Sequence, residues 1–378
     1  MNHRHLLLLV SGFLFCSVSL AAQPIPKAPD IGARAYIIED FDSGQIIAEK
    51  GVDEHMEPAS ITKLMTAYVV FNELRNSSLT LDEKVRISTK AWRTQGSRMF
   101  VEVDTMVSVS DLLQGMIVQS GNDATVALAE RIAGTEESFA NLMNHHAKQL
   151  GMTGSHFVNS TGLPDPEHYT TARDIALLAR ALIREFPEYY KWYSQKEFTY
   201  GGITQHNRNK LLWRDDSVDG MKTGHTESAG YCLVTSAKRD KMRLVTVVLG
   251  TASEEARADA SQSLLNYGFQ FFETHKLYDA GNKLSTARVW KGASGDVGLG
   301  LASALYITVP RGRYNDLNAS MKIGEKIMAP VGAGASLGRV VIRLDDRTLL
   351  EKELVALNDV PEGSLWQRMI DEALLYFQ

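Results

Sequence analysis

Cysteine is nearly absent from this chain: Cys16 and Cys232 are the only two in 378 residues. That excludes a disulfide framework and any zinc site built on four thiolates. An excess of basic residues is missing too. With 40 Lys and Arg against 45 Asp and Glu, the net charge is −5, and nucleic acid is not an expected partner. Beyond the first 20 residues no apolar run approaches the roughly 20 residues a membrane-spanning helix requires. What the chain does have is an apolar fraction of 44%, enough to bury a core, and a length that allows two domains or at most three.

The first residues set the compartment. Arg4 supplies a short positive region, Leu6 to Leu20 carries no charge, and Ser19-Leu20-Ala21 has the small-x-small spacing of a signal-peptidase site. Residues 1–21 therefore read as a cleaved signal, since an apolar run of about 15 falls short of a span. Phe13-Leu14-Phe15 ahead of Cys16 does not fit a lipoprotein signal. Cys16 leaves with the leader, and the mature protein is expected to be exported and soluble, or held only at a surface.

Further along, Ala35–Ile38 and Gln45–Ala48 read as a β-hairpin about Asp42-Ser43-Gly44. Ser60–Leu74 has helical spacing but few charges on any face, the pattern of a buried helix. Helices are predicted at Ser110–Gln119, Asp123–Ile132, Glu137–Leu150 and Thr171–Phe186. A second hairpin, Tyr231–Ser236 with Leu244–Leu249, precedes a helix over Ser253–Glu273. Together these predict one α/β (α+β) unit over 30–275, its sheet joining early and late strands. Residues 277–361 alternate short β-like runs with turns and read as a small all-β domain. In 362–378, Leu365, Trp366, Met369, Ile370, Leu374 and Phe377 recur at helical spacing. That segment is either a helix packed on its own domain or an amphipathic helix lying in a membrane interface. The interface is the expectation, although one Arg and two acids on the polar face promise weak attraction to anionic lipid.

Three motifs carry chemistry: Ser60-Ile61-Thr62-Lys63, Ser120-Gly121-Asn122 and Lys222-Thr223-Gly224. Chance alone supplies about one S-x-x-K in such a composition, but only roughly 0.08 each of S-G-N and K-T-G. Together they describe acyl transfer. A serine hydroxyl is a weak nucleophile until a neighbouring base takes its proton, and the i, i+3 spacing puts Lys63 beside Ser60. Lys63 serves only when neutral, which burial and the charge of Lys222 would favour. Ser120 can relay a proton to a leaving amine, and Asn122 can orient substrate and Lys63. Lys222 and Thr223 offer a charge and a hydroxyl to a substrate carboxylate, while Gly224 keeps a strand edge open for pairing.

The three motifs, their order and the β-rich C-terminal region resemble the low-molecular-mass penicillin-binding proteins, specifically the D-alanyl-D-alanine carboxypeptidases (serine D,D-peptidases). The likeness extends to Lys222-Thr223-Gly224-His225-Thr226, to Asn207-Arg208-Asn209 and to Thr171-Ala172-Arg173-Asp174. It implies a penicillin-recognising serine transpeptidase/β-lactamase-like domain with a small all-β C-terminal domain and a terminal amphipathic helix. It also implies removal of the terminal D-alanine from peptidoglycan stem peptides through an acyl-enzyme on Ser60, with β-lactams as covalent inhibitors and no cofactor or metal. Lys63 becomes the general base and Ser120 with Asn122 the second catalytic element. Arg208, Thr223 and His225 gather the substrate carboxylate, and the backbone N–H groups of Ser60 and His225 form the oxyanion hole. The resemblance places the protein in the periplasm, peripheral on the outer face of the inner membrane through its C-terminal helix.

Alternatives on the same residues are a D,D-endopeptidase, a β-lactamase and a catalytically silent cell-wall binding protein. A β-lactamase usually shows S-D-N where Gly121 stands here, and needs an acid to activate the deacylating water; Asp165 and Glu167 are the nearby acids. His145 and His146 match no metal spacing. Gly295–Gly300 and Gly332–Gly334 read as β turns, and Cys232 as a buried apolar residue.

Overall fold

The computed structural model describes residues 25–377; the signal expected at 1–21 lies outside them. Strands β1 (Ala35–Asp40) and β2 (Ile46–Lys50) form the expected hairpin. Ala59–Thr62 makes a 3₁₀ turn that runs directly into helix α1 (Lys63–Arg75), which is buried on every side, as a helix without a polar face must be. Helices α2 (Asn122–Ala133), α3 (Glu136–Gln149) and α4 (Ala172–Glu185) pack around it. Thr135 caps α3 and Thr171 caps α4, each hydroxyl accepting a first-turn N–H. The helix predicted over Ser110–Gln119 is real only at Val109–Gln114. Gly115–Gln119 then widens into a π-helical turn that ends with Ser120 in the left-handed region, φ 67°.

Three strands follow instead of the predicted two: β3 (Val218–Thr226), β4 (Gly230–Arg239) and β5 (Met242–Thr251). The antiparallel sheet runs β2-β1-β5-β4-β3, with Ile37 of β1 opposite Val247 of β5. Asp219, Gly220 and Gly224 give β3 the composition of a turn, which is why the sequence predicts only two strands here; Lys222-Thr223-Gly224 lies inside this edge strand. Successive side chains point to opposite faces. Ala35 and Ile37 enter the core shared with α1 and α4, whereas Tyr36 and Ile38 enter a second core under helix α5 (Glu254–Phe271). Each fully buried isoleucine contributes about 1.5–3 kcal/mol. The sheet is thus clamped on both faces and β3 is held as a rigid edge.

The all-β unit begins earlier than the Leu277 read from composition. Strand Phe272–Tyr278 leaves α5 without a linker and pairs with Leu305–Pro310. A six-stranded sheet between Ser285 and Ala356 encloses a core of its own. Asp296–Gly300, read from sequence as a turn, is a strand of that sheet; Gly300 is required because a Cβ there would stand 2.5 Å from the Asn282 carbonyl. Arg311 fastens the two units by donating to the Phe269 and Phe272 carbonyls at 2.7 and 3.2 Å, and Thr274 donates to Asp40 at 2.7 Å.

Helix α6 (Leu365–Tyr376) starts at a Ser364/Gln367 capping box and buries no residue. It meets the β unit through its acids. Asp371 accepts from the Lys291 backbone N–H, and Glu372 pairs with the Lys291 ammonium. Trp366, Met369, Ile370 and Leu374 point outward, with Trp366 75% exposed. Among the described residues no helix is long and apolar enough to cross a membrane.

Candidate active site

The turn that leads into α1 places Ser60 on a cleft of about 440 Å³, with Lys63 buried directly behind it. The Lys63 Nζ lies 3.0 Å from Ser60 Oγ, 2.7 Å from Asn122 Oδ1 and 2.7 Å from the Thr161 carbonyl. Two of those partners are pure acceptors, whereas the serine hydroxyl can also donate. A neutral amine fits this triangle: two N–H bonds go to Asn122 and Thr161, and the lone pair faces the Ser60 proton. Burial, and then the Arg208 guanidinium, hold the Lys63 pKa down at about 7, while Asp123 and Glu136 pull the other way. The sequence points to burial and to the charge of Lys222; burial holds, but the positive charge that acts on Lys63 is that of Arg208. Lys222 is itself buried and pushed well below the ordinary lysine range, first by desolvation and then by Lys63, Arg208 and Arg257, so Arg208 is the dependable charge.

Ser120 and Asn122 reach the same cleft from the π-turn and the start of α2. The Ser120 hydroxyl is buried and has no hydrogen-bond partner among the described residues, which leaves it free to take and pass a proton. Asn122 is fixed at both ends of its amide, its Nδ2 donating to the Gln95 carbonyl at 2.5 Å. Asp123, fully buried, accepts from the backbone N–H groups of Met99, Phe100 and Val101. The Gly96–Ser97 rim of the cleft is tied down by Asn122, whose backbone N–H donates to the Ser97 carbonyl at 2.7 Å.

Across the cleft runs β3. As an edge strand it leaves alternate backbone N–H and C=O groups unpaired on the cleft side. Thr223, Gly224 and His225 line the cleft, His225 exposed with its ring stacked on Tyr231 at 4.0 Å. Gly224 has a steric reason that the sequence reading did not see: a Cβ there would lie 3.0 Å from the Pro58 carbonyl and 3.2 Å from the Ile61 N. Glycine lets the strand close onto the Ser60 turn. Arg208 also lines the cleft, exposed between two buried asparagines. Asn207 donates to the Gln195 carbonyl and Asn209 to the Gly220 carbonyl, both at 3.0 Å, so the loop that carries Arg208 is pinned to the root of β3.

With this geometry in place, comparison with known proteins is decisive. The family model described as D-alanyl-D-alanine carboxypeptidase matches residues 22–253, and that of the penicillin-binding protein 5 C-terminal domain matches 272–362. This chain belongs to the D-alanyl-D-alanine carboxypeptidase family. It is 42% identical to D-alanyl-D-alanine carboxypeptidase DacC of Escherichia coli K12, covering 97% of this chain and 93% of that one. Penicillin-binding protein 5 from Haemophilus influenzae superposes with a TM-score of 0.87 at 41% identity, covering 89% of this chain and all of that structure. Penicillin-binding protein D2 from Listeria monocytogenes, solved in its ampicillin-bound form, matches at 32% identity and TM-score 0.59 over 64% of this chain and all of its own.

This carboxypeptidase-family cleft also uses groups that sequence reasoning did not single out. Thr161 contributes a backbone carbonyl, which no side-chain pattern reveals. Gly162, at φ 84°, packs so closely under the nucleophile turn that a Cβ would fall 1.8 Å from the Ala59 carbonyl. His168 locks the same loop: its Nδ1 accepts from the Val158 N–H at 3.1 Å, so Nε2 carries the proton and donates to Thr62 Oγ1 at 2.8 Å. Arg257 arrives from α5, buried, donating to the Gly224 carbonyl at 3.1 Å. The two acids weighed as water activators, Asp165 and Glu167, are exposed and line no part of the cleft.

Proposed function

We propose that this chain is a serine-type D-alanyl-D-alanine carboxypeptidase that trims peptidoglycan stem peptides through an acyl-enzyme on Ser60. One observation carries the reading: a buried amine held near neutrality, its two N–H bonds taken by acceptors and its third contact on Ser60 Oγ. Lys63 removes the hydroxyl proton as Ser60 Oγ attacks the penultimate carbonyl. Negative charge develops on the carbonyl oxygen against the N–H groups of Ser60 and His225. Ser120, without a hydrogen-bond partner among the described residues, gives its proton to the amine of the departing D-alanine as the peptide bond breaks and is reprotonated by Lys63, which returns to the neutral amine. Water then attacks the ester, its proton goes to neutral Lys63 and from there to Ser60 Oγ as the ester bond breaks, and both Ser60 and the neutral amine are restored.

The terminal carboxylate is the feature that selects the substrate. Arg208, Thr223 and the exposed edge of β3 meet it, and its negative charge stabilises the protonated form of Lys222 beside it. β-Lactams present a carboxylate and a strained amide in the same relation and acylate the same serine; the ampicillin-bound relative supports this. We further place the enzyme in the periplasm, peripheral to the membrane. The outward apolar face of α6 supports that assignment, because the acids invoked against lipid attraction face the β unit, Asp371 paired with Arg288 and Glu372 with Lys291.

The test is the intact mass of the purified mature protein after mixing with penicillin, alongside D-alanine release from a pentapeptide. A persistent adduct that disappears in S60A, with D-alanine release lost in the same variant, is expected. D-Alanine release at the native rate by S60A would overturn the assignment.

A further inference from the structure

Glu136 opens helix α3 and touches no substrate position, yet it is wired to Lys63. Its Oε1 accepts from the Ser160 N–H at 3.1 Å and from Ser160 Oγ at 2.7 Å, and its Oε2 pairs with Lys90 Nζ at 2.9 Å. Ser160 in turn gives its carbonyl to Thr66 Oγ1 at 2.6 Å, and the next carbonyl, Thr161, is the one Lys63 donates to. The loop has no regular secondary structure of its own here. Its position relative to α1 depends on anchors: Thr66, His168 through Thr62, and Glu136.

We propose that Glu136 is a positioning residue for Lys63, holding the Ser160–Thr161 backbone in place and, with Lys90, setting the local charge under which Lys63 loses its proton. The inference rests on Lys63 being the base that activates Ser60. Glu136 is partly buried, so its field reaches the amine through protein and not through water. The other charges acting on the amine are Asp123, Arg208 and Lys222, and His168 packs on the same loop; of all these, only Glu136 is both a loop anchor and half of an ion pair whose other member, Lys90, is exposed. The pair therefore offers two opposite perturbations of one quantity.

The experiment measures second-order acylation by a fluorescent penicillin from pH 5 to 9 for the native enzyme, E136Q, E136A and K90M. E136Q keeps an acceptor for Ser160 but no charge, so the acid limb moves down by roughly half a pH unit with its plateau within about threefold of native. K90M removes a cation and moves the limb up. E136A also loses the anchor, and its plateau falls roughly tenfold or more. A merely structural role would lower melting temperatures and leave the limbs where they were. Native limbs in both E136Q and K90M overturn the proposal, and these two suffice should E136A not fold. A native enzyme with no acid limb at all would remove the base assignment itself, which separates the two failures.

Discussion

The protonation state of Lys63 should be visible directly in the rate at which Ser60 is acylated. With the amine at about 7, its neutral fraction is roughly 9% at pH 6, one half at pH 7 and 91% at pH 8. An ordinary lysine near 10.5 would be neutral only about 0.03% of the time at pH 7. The second-order acylation rate is therefore expected to rise about tenfold from pH 6 to pH 8 and to level off above it. Stopped-flow acylation with a fluorescent penicillin reads this without turnover, so deacylation does not enter. The sign follows from which form is active: protonation removes the lone pair that faces Ser60, so acid silences the enzyme. Lys63→Arg should remove acylation at every pH in this range, because the guanidinium keeps its proton. A rate that keeps climbing log-linearly to pH 9 would show an unperturbed lysine and sink the argument. A rate flat from pH 5.5 to 8.5 would mean that another group takes the proton.

Three further outcomes follow from the same geometry. Gly162→Ala combines a left-handed backbone with a Cβ driven into the Ala59 carbonyl, and should cost roughly 3 kcal/mol while slowing acylation; a native urea midpoint would contradict it. The His168 pKa is depressed by burial to about 4, so its contribution to stability is complete above pH 6.5 and is lost as pH falls toward 4, roughly 3 kcal/mol in all. His168→Asn should flatten that part of the pH–stability curve, and a difference curve with no slope between pH 6.5 and 4 would refute a buried imidazole held neutral. Deleting Ser364–Gln378 should move the protein from membrane to soluble fractions with activity intact, and unchanged partitioning would remove α6 as the anchor.

How much of this was legible in the sequence depended on whether function resides in a side chain or in the backbone. Ser60, Lys63, Ser120 and Asn122 are side chains with improbable spacing, and the structure lines one cleft with Ser60, Ser120 and Asn122 and buries Lys63 directly behind it, against Ser60 and Asn122. The hairpins and α1 were legible because apolar periodicity is a local property. The strand β3 was not, since Gly220 and Gly224 are there to let Tyr190 and the Ser60 turn approach, and a pattern search reads such glycines as turns. Thr161 escaped for a stronger reason: any residue offers the same carbonyl, so only the path of the chain can show which one meets an amine.

The same distinction explains why the site can hold a neutral lysine at all. Burying an amine costs several kcal/mol unless its hydrogen bonds are met, and in this cleft one acceptor comes from α2 and the other from an irregular loop. Neither partner could be replaced by water without restoring the dielectric that keeps lysine charged. The loop must therefore be as rigid as the helices it lies against, although its own regular pairing is limited to the isolated bridge between His156 and Tyr169 at its base. Gly162 under Ala59, His168 on Thr62 and Glu136 on Ser160 supply that rigidity from three sides. The proton-accepting power of Lys63 is thus set less by Ser60 and its motif than by the burial this loop provides and by charged residues from Asp123 to Arg208, about 60 to 145 positions further along the chain.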